Sequence, residues 1–514
     1  MNNVFYLNEK QLTSLADFNI QAYRFTRDSG LLESMDLREV PIGRLVYDSR
    51  KTQARDCFFA LPGRLREGSK FIKDALKNGA TTIVSEGSIE DLRSDLDDVN
   101  NDFQLITCQE IRKVMALMAT FYYGEPCAKL HCIGITGTKG KSSLASLLSQ
   151  ILEAAGKKTL LIGTTGICFA GENHVSVNTT PESVIIQKAA SAALAKGAEY
   201  LVLEVSSQAL DMARTVGISF DLAVFHNISR DHIGPLEHPD FDSYVAAKEL
   251  IFEQAKRALI NHDMDLFGRV YENARKYLDC ENIYTYSSEG DSTRADFCAS
   301  EINFLEGGVS FKAFGEKLVL MPAANFLVSN AMAALACCEL SGLDTAQAAK
   351  LLGSLQVPGR LEYFNGPNES SILIDYAHNR LSLNSLLRSL QSVRDKGRLI
   401  LLIGTVGDRC EERRIEIPEV AEALADFTYL TSDNPGREPA LKICQEMAGN
   451  FSTDYHNYKV IVDRKEAIKD AVSNLRKGDL LVLAGKGHEE YQLIGERKIP
   501  FSEREILKDL LDEH

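Results

Sequence analysis

The chain has 514 residues, 45% of them hydrophobic, and its 57 Lys and Arg against 72 Asp and Glu leave a net charge of −15. That length predicts about three domains of roughly 150 residues; the acidic balance excludes nucleic-acid binding through the overall field, so an anionic substrate must meet local basic groups. No apolar run reaches the length of a membrane span, Met1-Asn-Asn-Val has neither the basic nor the apolar region of a signal peptide, and the eleven cysteines show no Cys-x-x-Cys or Cys/His pairing; reduced, buried thiols in a cytoplasmic protein without membrane insertion are expected.

The first region, residues 1–126, mixes short strands and helices. Leu45-Val-Tyr-Asp-Ser-Arg50, Cys57-Phe-Phe-Ala-Leu-Pro-Gly63 and Glu67-Gly-Ser69 read as strand, turn, strand and glycine turn, the edge of a binding site. Ser49 and Arg50 are candidates for holding a phosphate or a uracil ring, although Asp-Ser-Arg by itself reads as a turn with a surface ion pair. Phe71–Ala80 predicts a helix ended by Gly79, and a strand follows at Thr81–Ser85.

In the second region, residues 127–356, apolar strands alternate with helical patterns, which argues for a mostly parallel sheet. The apolar stretch Leu130–Ile135 runs into Thr136-Gly-Thr-Lys-Gly-Lys-Ser142, and Leu144–Leu152 then places apolar residues at helical spacing. Strand, glycine turn, helix puts bare backbone N–H groups at the positive end of a helix, where a phosphate chain can sit. Gly137, Thr138, Lys139, Gly140 and Ser143 belong to that cradle; Lys141 reaches the outer phosphates and the Ser142 hydroxyl holds Mg²⁺. The strict eight-residue pattern fails because position 135 is Ile. After the strand Leu160–Thr164 comes the polar turn Asn178-Thr-Thr-Pro-Glu182. The buried strand Tyr200–Glu204 then delivers a carboxylate at its end, the place from which P-loop enzymes hold Mg²⁺. A further strand, Leu222–His226, leads to Asp231-His232, and Tyr244 and Lys248 lie one helical turn apart. By themselves His232 reads as a structural histidine and Lys248 as a solvated surface group.

Together with Val357-Pro-Gly-Arg360, Asp375-Tyr-Ala-His378, Gly407-Asp-Arg409 followed by Arg413-Arg414, Asp433-Asn-Pro435 and Gly485-Lys-Gly-His-Glu489, these motifs resemble those of the Mur ligases. Mur ligases are ATP-dependent enzymes that add amino acids to UDP-N-acetylmuramic acid in peptidoglycan synthesis, and so serve cell-wall biogenesis, cell shape and division. The resemblance spans residues 45–492 in family order, and Asp-Asn-Pro with Gly-Lys-Gly-His-Glu resembles the branch that adds the third residue. It implies an α/β fold of three domains: a UDP-binding domain (1–126), a central P-loop ATPase with a mostly parallel sheet (127–356) and a C-terminal Rossmann-like, amino-acid-binding domain (357–514), mobile about Val357–Arg360. It implies ATP and Mg²⁺, with Ser142, Glu204, His232 and Lys248 (as its N-carbamate) as metal ligands, and Lys141, His232 and Lys248 as catalytic groups. Asn330, Arg360 and His378 fall around the nucleotide. Asn178, Thr179, Thr180, Ser206 and Arg214 fall on the muramoyl-dipeptide, Ser49 and Arg50 on the uridine. Asp433, Asn434, Arg437, Gly485 and Glu489 fall on the incoming amino acid. The partners implied are UDP-muramoyl-dipeptide and a free amino acid, and a monomer is expected.

Several positions depart from the family pattern. Ser-Ser-His reads Ser206-Ser-Gln208, a usual polar residue is Met212, the loop after His232 is longer through Gly234–His238, and Phe-Asn-x-x-Asn reads Phe326-Leu-Val-Ser-Asn330. Three readings follow: the third-residue ligase; a related amide ligase of folylpolyglutamate or cyanophycin type, which Asn178-Thr-Thr-Pro and Asp-Asn-Pro oppose; and a catalytically silent nucleotide-binding protein, which the intact Lys141, Ser142, Glu204, His232 and Lys248 oppose. In diaminopimelate-adding members Asp-Asn-Pro is followed by an arginine that grips the distal carboxylate with its two-pronged guanidinium. Here Gly436 stands in that place and Arg437 one residue later, which puts L-lysine slightly ahead of meso-diaminopimelate.

Overall fold

The alternation of apolar strands and amphipathic helices resolves into a mixed α/β chain with several sheets. The computed structural model describes all residues except 1–3, 28–30, 64–66, 97–98, 100, 232, 235–236, 291–293, 306–307, 322–324, 354, 356–358, 392–396, 409–410 and 513–514. The chain divides into two compact units, one of Met1–Ala145 with Leu152–Tyr284, the other of Ser146–Ile151 with Thr285–His514.

In the first unit one sheet orders its strands Leu31–Met35, Gln21–Thr26, Phe103–Cys108, Thr82–Glu86, Cys57–Phe59 and Leu45–Val46. The last four are parallel and the first two pair antiparallel. Helix Ile111–Tyr122 turns Ile111, Val114, Met115 and Met118 to one face of this sheet, the i, i+3, i+4, i+7 spacing of an amphipathic helix. Burying each such side chain contributes about 1.5–3 kcal/mol. The expected helix at Phe71–Ala80 is Ile72–Lys77, and Gly79 follows it at φ +106°, a left-handed turn that a side chain resists.

The second sheet of this unit carries five parallel strands in the order Thr159–Gly163, Tyr200–Glu204, His131–Thr136, Leu222–Phe225 and Ala258–Asn261. A hairpin, Gly166–Phe169 with Glu172–His174, extends it antiparallel beyond Thr159–Gly163. The four strands on either side of His131–Thr136 are buried along their whole length, as a sheet covered on both faces requires. His131–Thr136 is central: the chain adds two strands on one side, then two on the other. Such a reversal opens a crevice at the strands' carboxyl ends, and ligands bind there in open α/β sheets.

In the second unit the strands Glu362–Asn365, Ser371–Asp375, Leu480–Ala484, Leu399–Ile403, Phe427–Leu430 and Tyr458–Val460 form a sheet in that order, the first pair antiparallel and the rest parallel. The period of two is visible in its packing. Leu373, Leu399, Leu401 and Val482 face one core, and Ile372, Ile374, Ile400 and Leu402 face the other. Helices on both faces make this the Rossmann-like body. Among the described residues no helix is long and apolar enough to cross a membrane.

Candidate active site

The phosphate loop leaves the central strand at Thr136 and enters helix Lys141–Ala154. At Gly137 a Cβ would lie 3.2 Å from both His226 Cβ and Asn227 N, and Gly140 turns at φ +78°. The loop is stapled by one side chain that the sequence reading did not single out. Asn227 Oδ1 accepts from Thr138 N and Lys139 N at 2.9 Å each, and its Nδ2 donates to Lys139 O at 2.9 Å. Asn227 follows the neighbouring strand Leu222–Phe225, so only the parallel pairing of the two strands brings it there. Lys141 Nζ donates to Gly137 O at 2.7 Å and Thr138 O at 3.1 Å. Lys139 pairs with Asp231 at 2.8 Å, and Ser143 is half-buried at the start of the helix.

Ser142 Oγ donates to Glu204 Oε2 at 2.8 Å. Glu204 is 1% exposed at the end of its strand and also accepts from Thr164 N at 2.9 Å and Thr164 Oγ1 at 3.2 Å. Room for this carboxylate comes from Gly163, where a Cβ would fall 2.0 Å from Glu204 Oε1. Two of the four expected metal ligands, Ser142 and Glu204, are therefore in contact. His232 lies outside the described residues.

Lys248 is not a solvated group. It sits 1% exposed on helix Phe241–Glu249, its Nζ donating to Gly137 O at 2.9 Å and lying 4.7 Å from the Tyr244 ring centre. Burial pulls its pKa well below the usual lysine value; the Lys141 ammonium pulls the same way, and Asp231 opposes both. Tyr244 donates to Thr138 Oγ1 at 3.0 Å, tying the same helix to the loop. His238 makes a buried contact, Nε2 at 3.0 Å from Ser207 Oγ, which spacing alone did not reveal.

The residues expected on the dipeptide converge beside Glu204. Thr180 Oγ1 donates to Glu204 O at 2.7 Å and accepts from Ser206 N at 3.0 Å; Thr179 Oγ1 lies 3.1 Å from Thr164 Oγ1. Arg214 donates to Thr180 O at 3.0 Å and pairs with Glu182, which also takes Arg112. The Met212 sulfur accepts weakly from Arg214 at 3.5 Å. Asn178 lies exposed at the edge of this group. Ser49 is buried in the turn Ser49–Lys51, whereas Arg50 reaches out to its own Asp48 at 2.9 Å with 87% of its side chain exposed. That is the turn and surface ion pair of the plainer reading.

In the second unit, at the carboxyl ends of the sheet, a cavity of about 190 Å³ is lined by Asp433, Asn434, Gly485 and Glu489, with His378, Tyr376, Val406 and Arg413. Its acids are organised by Lys486, fully buried and absent from the expected set. Lys486 Nζ donates to Glu489 Oε2 at 2.7 Å, Asn434 Oδ1 at 3.0 Å and Asp433 Oδ1 at 3.3 Å. His378 Nδ1 lies 2.8 Å from Tyr376 O, and burial lowers its pKa, so the ring is biased towards its neutral form. Arg360 stacks over the Tyr376 ring at 4.8 Å, and Gly359, at φ +67°, would bring a Cβ to 2.1 Å from His488 N. Val357 and Pro358 lie outside the described residues. Asn330 is 1% exposed, and neither its Oδ1 nor its Nδ2 has a partner among the described residues.

Arg437 does not line the cavity. Its side chain is exposed and pairs with Glu496, while its N–H donates to Asp408 Oδ2 at 3.0 Å. Gly436 turns at φ +59°, and a Cβ there would fall 2.2 Å from that same Asp408 Oδ2.

A phosphate loop backed by a strand-end acid, together with a separate zwitterion-sized pocket of paired charges, is the equipment of an ATP-dependent ligase. The comparisons agree. Residues 135–338 match the Mur ligase middle domain, and residues 359–487 match the Mur ligase, glutamate ligase domain. A UDP-N-acetylmuramoyl-L-alanyl-D-glutamate–2,6-diaminopimelate ligase of Caldanaerobacter subterraneus subsp. tengcongensis is 35% identical over 479 residues, covering 92% of this chain and 95% of its own. The ligase of the same name from Geobacillus kaustophilus is 34% identical over 487 residues, covering 91% and 94%. A solved structure of such a ligase matches with a TM-score of 0.66 at 27% identity, covering 94% of this chain and 97% of that one. The chain belongs to the Mur ligase family. It is an ATP-dependent ligase with the family's three-part α/β architecture.

Proposed function

We propose that this ligase adds a diamino acid to UDP-N-acetylmuramoyl-L-alanyl-D-glutamate in cytoplasmic peptidoglycan synthesis, and that the diamino acid is L-lysine. The reading assigns uridine binding to residues 1–126, ATP to 127–356 and the amino acid to 357–514. The substrate class follows the names of the relatives, and the choice of lysine rests on one observation. The left-handed Gly436, closed off by Asp408, leaves no side-chain donor where a distal carboxylate would need one, and Arg437 points away to Glu496.

The residues present fit Mg·ATP. The loop offers backbone N–H groups, Lys141 and the Ser142–Glu204 pair. When bound, Mg·ATP supplies the phosphoryl group that turns the acceptor carboxylate into an acyl phosphate, a far better electrophile. Lys141 neutralises charge as two anions approach. Ser142, Glu204, His232 and a carbamylated Lys248 hold the metal side. A buried lysine poor in charge is a nucleophile: its lone pair adds to CO₂, one proton leaves, and a carboxylate-like carbamate remains. Gly137, Thr138, Lys139, Gly140 and Ser143 complete the phosphate cradle, and Arg360 and His378 serve the nucleotide side. Asn178, Thr179, Thr180, Ser206 and Arg214 orient the dipeptide, and Ser49 and Arg50 the uridine. In the amino-acid pocket Asp433, Asn434, Glu489 and Gly485 receive the ammonium end, and the Arg413 guanidinium, which also lines the cavity, serves the carboxylate.

The second reading, meso-diaminopimelate, has the relatives' names in its favour and needs Arg437 to swing into the pocket. ADP release is measured with UDP-muramoyl-dipeptide and the two amino acids, first singly and then in competition at equal concentration. Lysine is expected to win, and Arg437→Ala to leave that preference unchanged. A strong preference for diaminopimelate that Arg437→Ala abolishes would reverse the assignment, and no release with either amino acid would refute the diamino-acid reading itself.

A further inference from the structure

Behind the wall of the amino-acid pocket lies a second buried charge pair that the reaction as described does not use. Arg464 opens helix Arg464–Ser473, and Glu503 opens the last helix, Glu503–Asp512; both side chains are fully buried. Arg464 Nε donates to Glu503 Oε1 at 2.9 Å, Nη2 to Ala484 O at 2.7 Å and Nη1 to Ser432 O at 3.4 Å. A cation at a helix N-terminus opposes the helix dipole, and burying it removes its hydration. Something local must offset both, and the carboxylate and the two carbonyls do.

The two carbonyls belong to the residues just before Asp433 and Gly485, which line the cavity. Ala484 ends the strand Leu480–Ala484 and Ser432 follows the strand Phe427–Leu430, and these two strands do not touch but lie on either side of Leu399–Ile403. No ladder hydrogen bond sets the gap between these two chain segments beyond the sheet. The planar guanidinium spans it, with three N–H groups aimed in fixed directions, a geometry that a lysine ammonium does not reproduce.

We infer that Arg464, held by Glu503, is a positioning residue for amino-acid selection: by fixing Ser432 against Ala484 it sets, together with the Lys486 bridge to Asp433 and Asn434, the distance between the pocket walls at Asp433 and Gly485. The inference rests on the reading of this cavity as the amino-acid site. Arg464→Lys keeps the charge and loses the fork. The KM for the amino acid is expected to rise about tenfold, the scale of one lost charge-assisted hydrogen bond, while KM for ATP and for UDP-muramoyl-dipeptide stay within about twofold.

Both Arg464→Lys and Glu503→Gln are measured in the full chain by acceptor-dependent ADP release, with a thermal melt on each. Glu503→Gln retains shape and one acceptor, and is expected to raise the amino-acid KM in the same direction but less. It carries the test alone, by the same criterion, where Arg464→Lys fails to fold. An unchanged amino-acid KM, or an equal rise in all three KM values alongside a lowered melting temperature, shows a merely structural pair and overturns the proposal. A wild type that ligates neither lysine nor diaminopimelate overturns the pocket reading itself, and this inference with it.

Discussion

Lys248 faces a charge problem that its surroundings offset only in part: it is buried, donates to the Gly137 carbonyl, lies over the Tyr244 ring and feels Asp231, while Lys141 is near enough to disfavour a second positive charge. The carbamylation proposed above would solve it by reversing the sign of the group. Lys248→Ala is expected to lower turnover on the order of a hundredfold or more, with partial recovery on adding a short carboxylic acid such as acetate; full activity in the variant would remove the carbamate from the mechanism. Gly163 is the second residue whose identity follows from a neighbour. A methyl group there collides with Glu204, and overpacking of this kind costs about 1–3 kcal/mol. Gly163→Ala is therefore expected to lower the melting temperature and to weaken Mg·ATP binding, because the carboxylate that faces Ser142 must move. A variant of normal stability with normal nucleotide affinity would show that Glu204 has another place to go.

At the scale of elements, the loop Thr431–Pro439 is shaped by what lies on both sides of it. Gly407 N donates to Asn434 O at 2.9 Å, Asp408 N to Glu438 Oε1 at 2.7 Å, and Arg414 grips Glu438 at 2.7 Å. The hairpin Tyr491–Pro500 holds the other side, with Leu493 N donating to Asn434 Oδ1 at 2.9 Å and Gly436 N to Leu493 O at 3.1 Å. The Arg414 guanidinium, helped by the Asp408 N–H, lowers the Glu438 pKa to about 2. A lowered carboxylate pKa gives stability that is complete above the ordinary value of 4.5 and is lost as pH falls through about 2. Urea midpoints followed from pH 6 downward should fall more steeply below pH 4.5 in the wild type than in Glu438→Gln. Parallel curves would mean that the pair contributes nothing to folding.

At the scale of the molecule, ligand binding to the folded chain alone must stabilise it. At a hundred times its dissociation constant one ligand adds about 2.7 kcal/mol, so Mg·ATP is expected to raise the melting temperature by several degrees in the wild type and not in Lys141→Ala. A rise of equal size in that variant would place the nucleotide elsewhere. The two sheets that carry the proposed chemistry share one design. Each places its groups beyond the carboxyl ends of parallel strands, where backbone and side-chain donors no longer serve the ladder. The catalytic and pocket residues gather from positions far apart in the chain for that reason.

The phosphate loop and the strand that ends in Glu204 were legible in the sequence because short-range rules govern them, whereas Lys248 and the Asp433 and Gly485 segments were legible only through their resemblance to the family's motifs. A strand, a glycine turn and a helix at fixed offsets encode their own geometry. By itself the sequence also carried the family, through several motifs in one order. Asn227, His238, Lys486 and Arg464 were not legible, since each acts on a partner between 31 and 89 residues away, whose proximity only the tertiary structure decides. Arg437 shows the same limit from the other direction. Its position beside Asp-Asn-Pro placed it near the pocket, and only the left-handed turn at Gly436, the Asp408 carboxylate and Glu496 decided that it points away. A sequence specifies which groups are available and which local turns they can make; where a side chain points is decided by what the tertiary structure puts in its way.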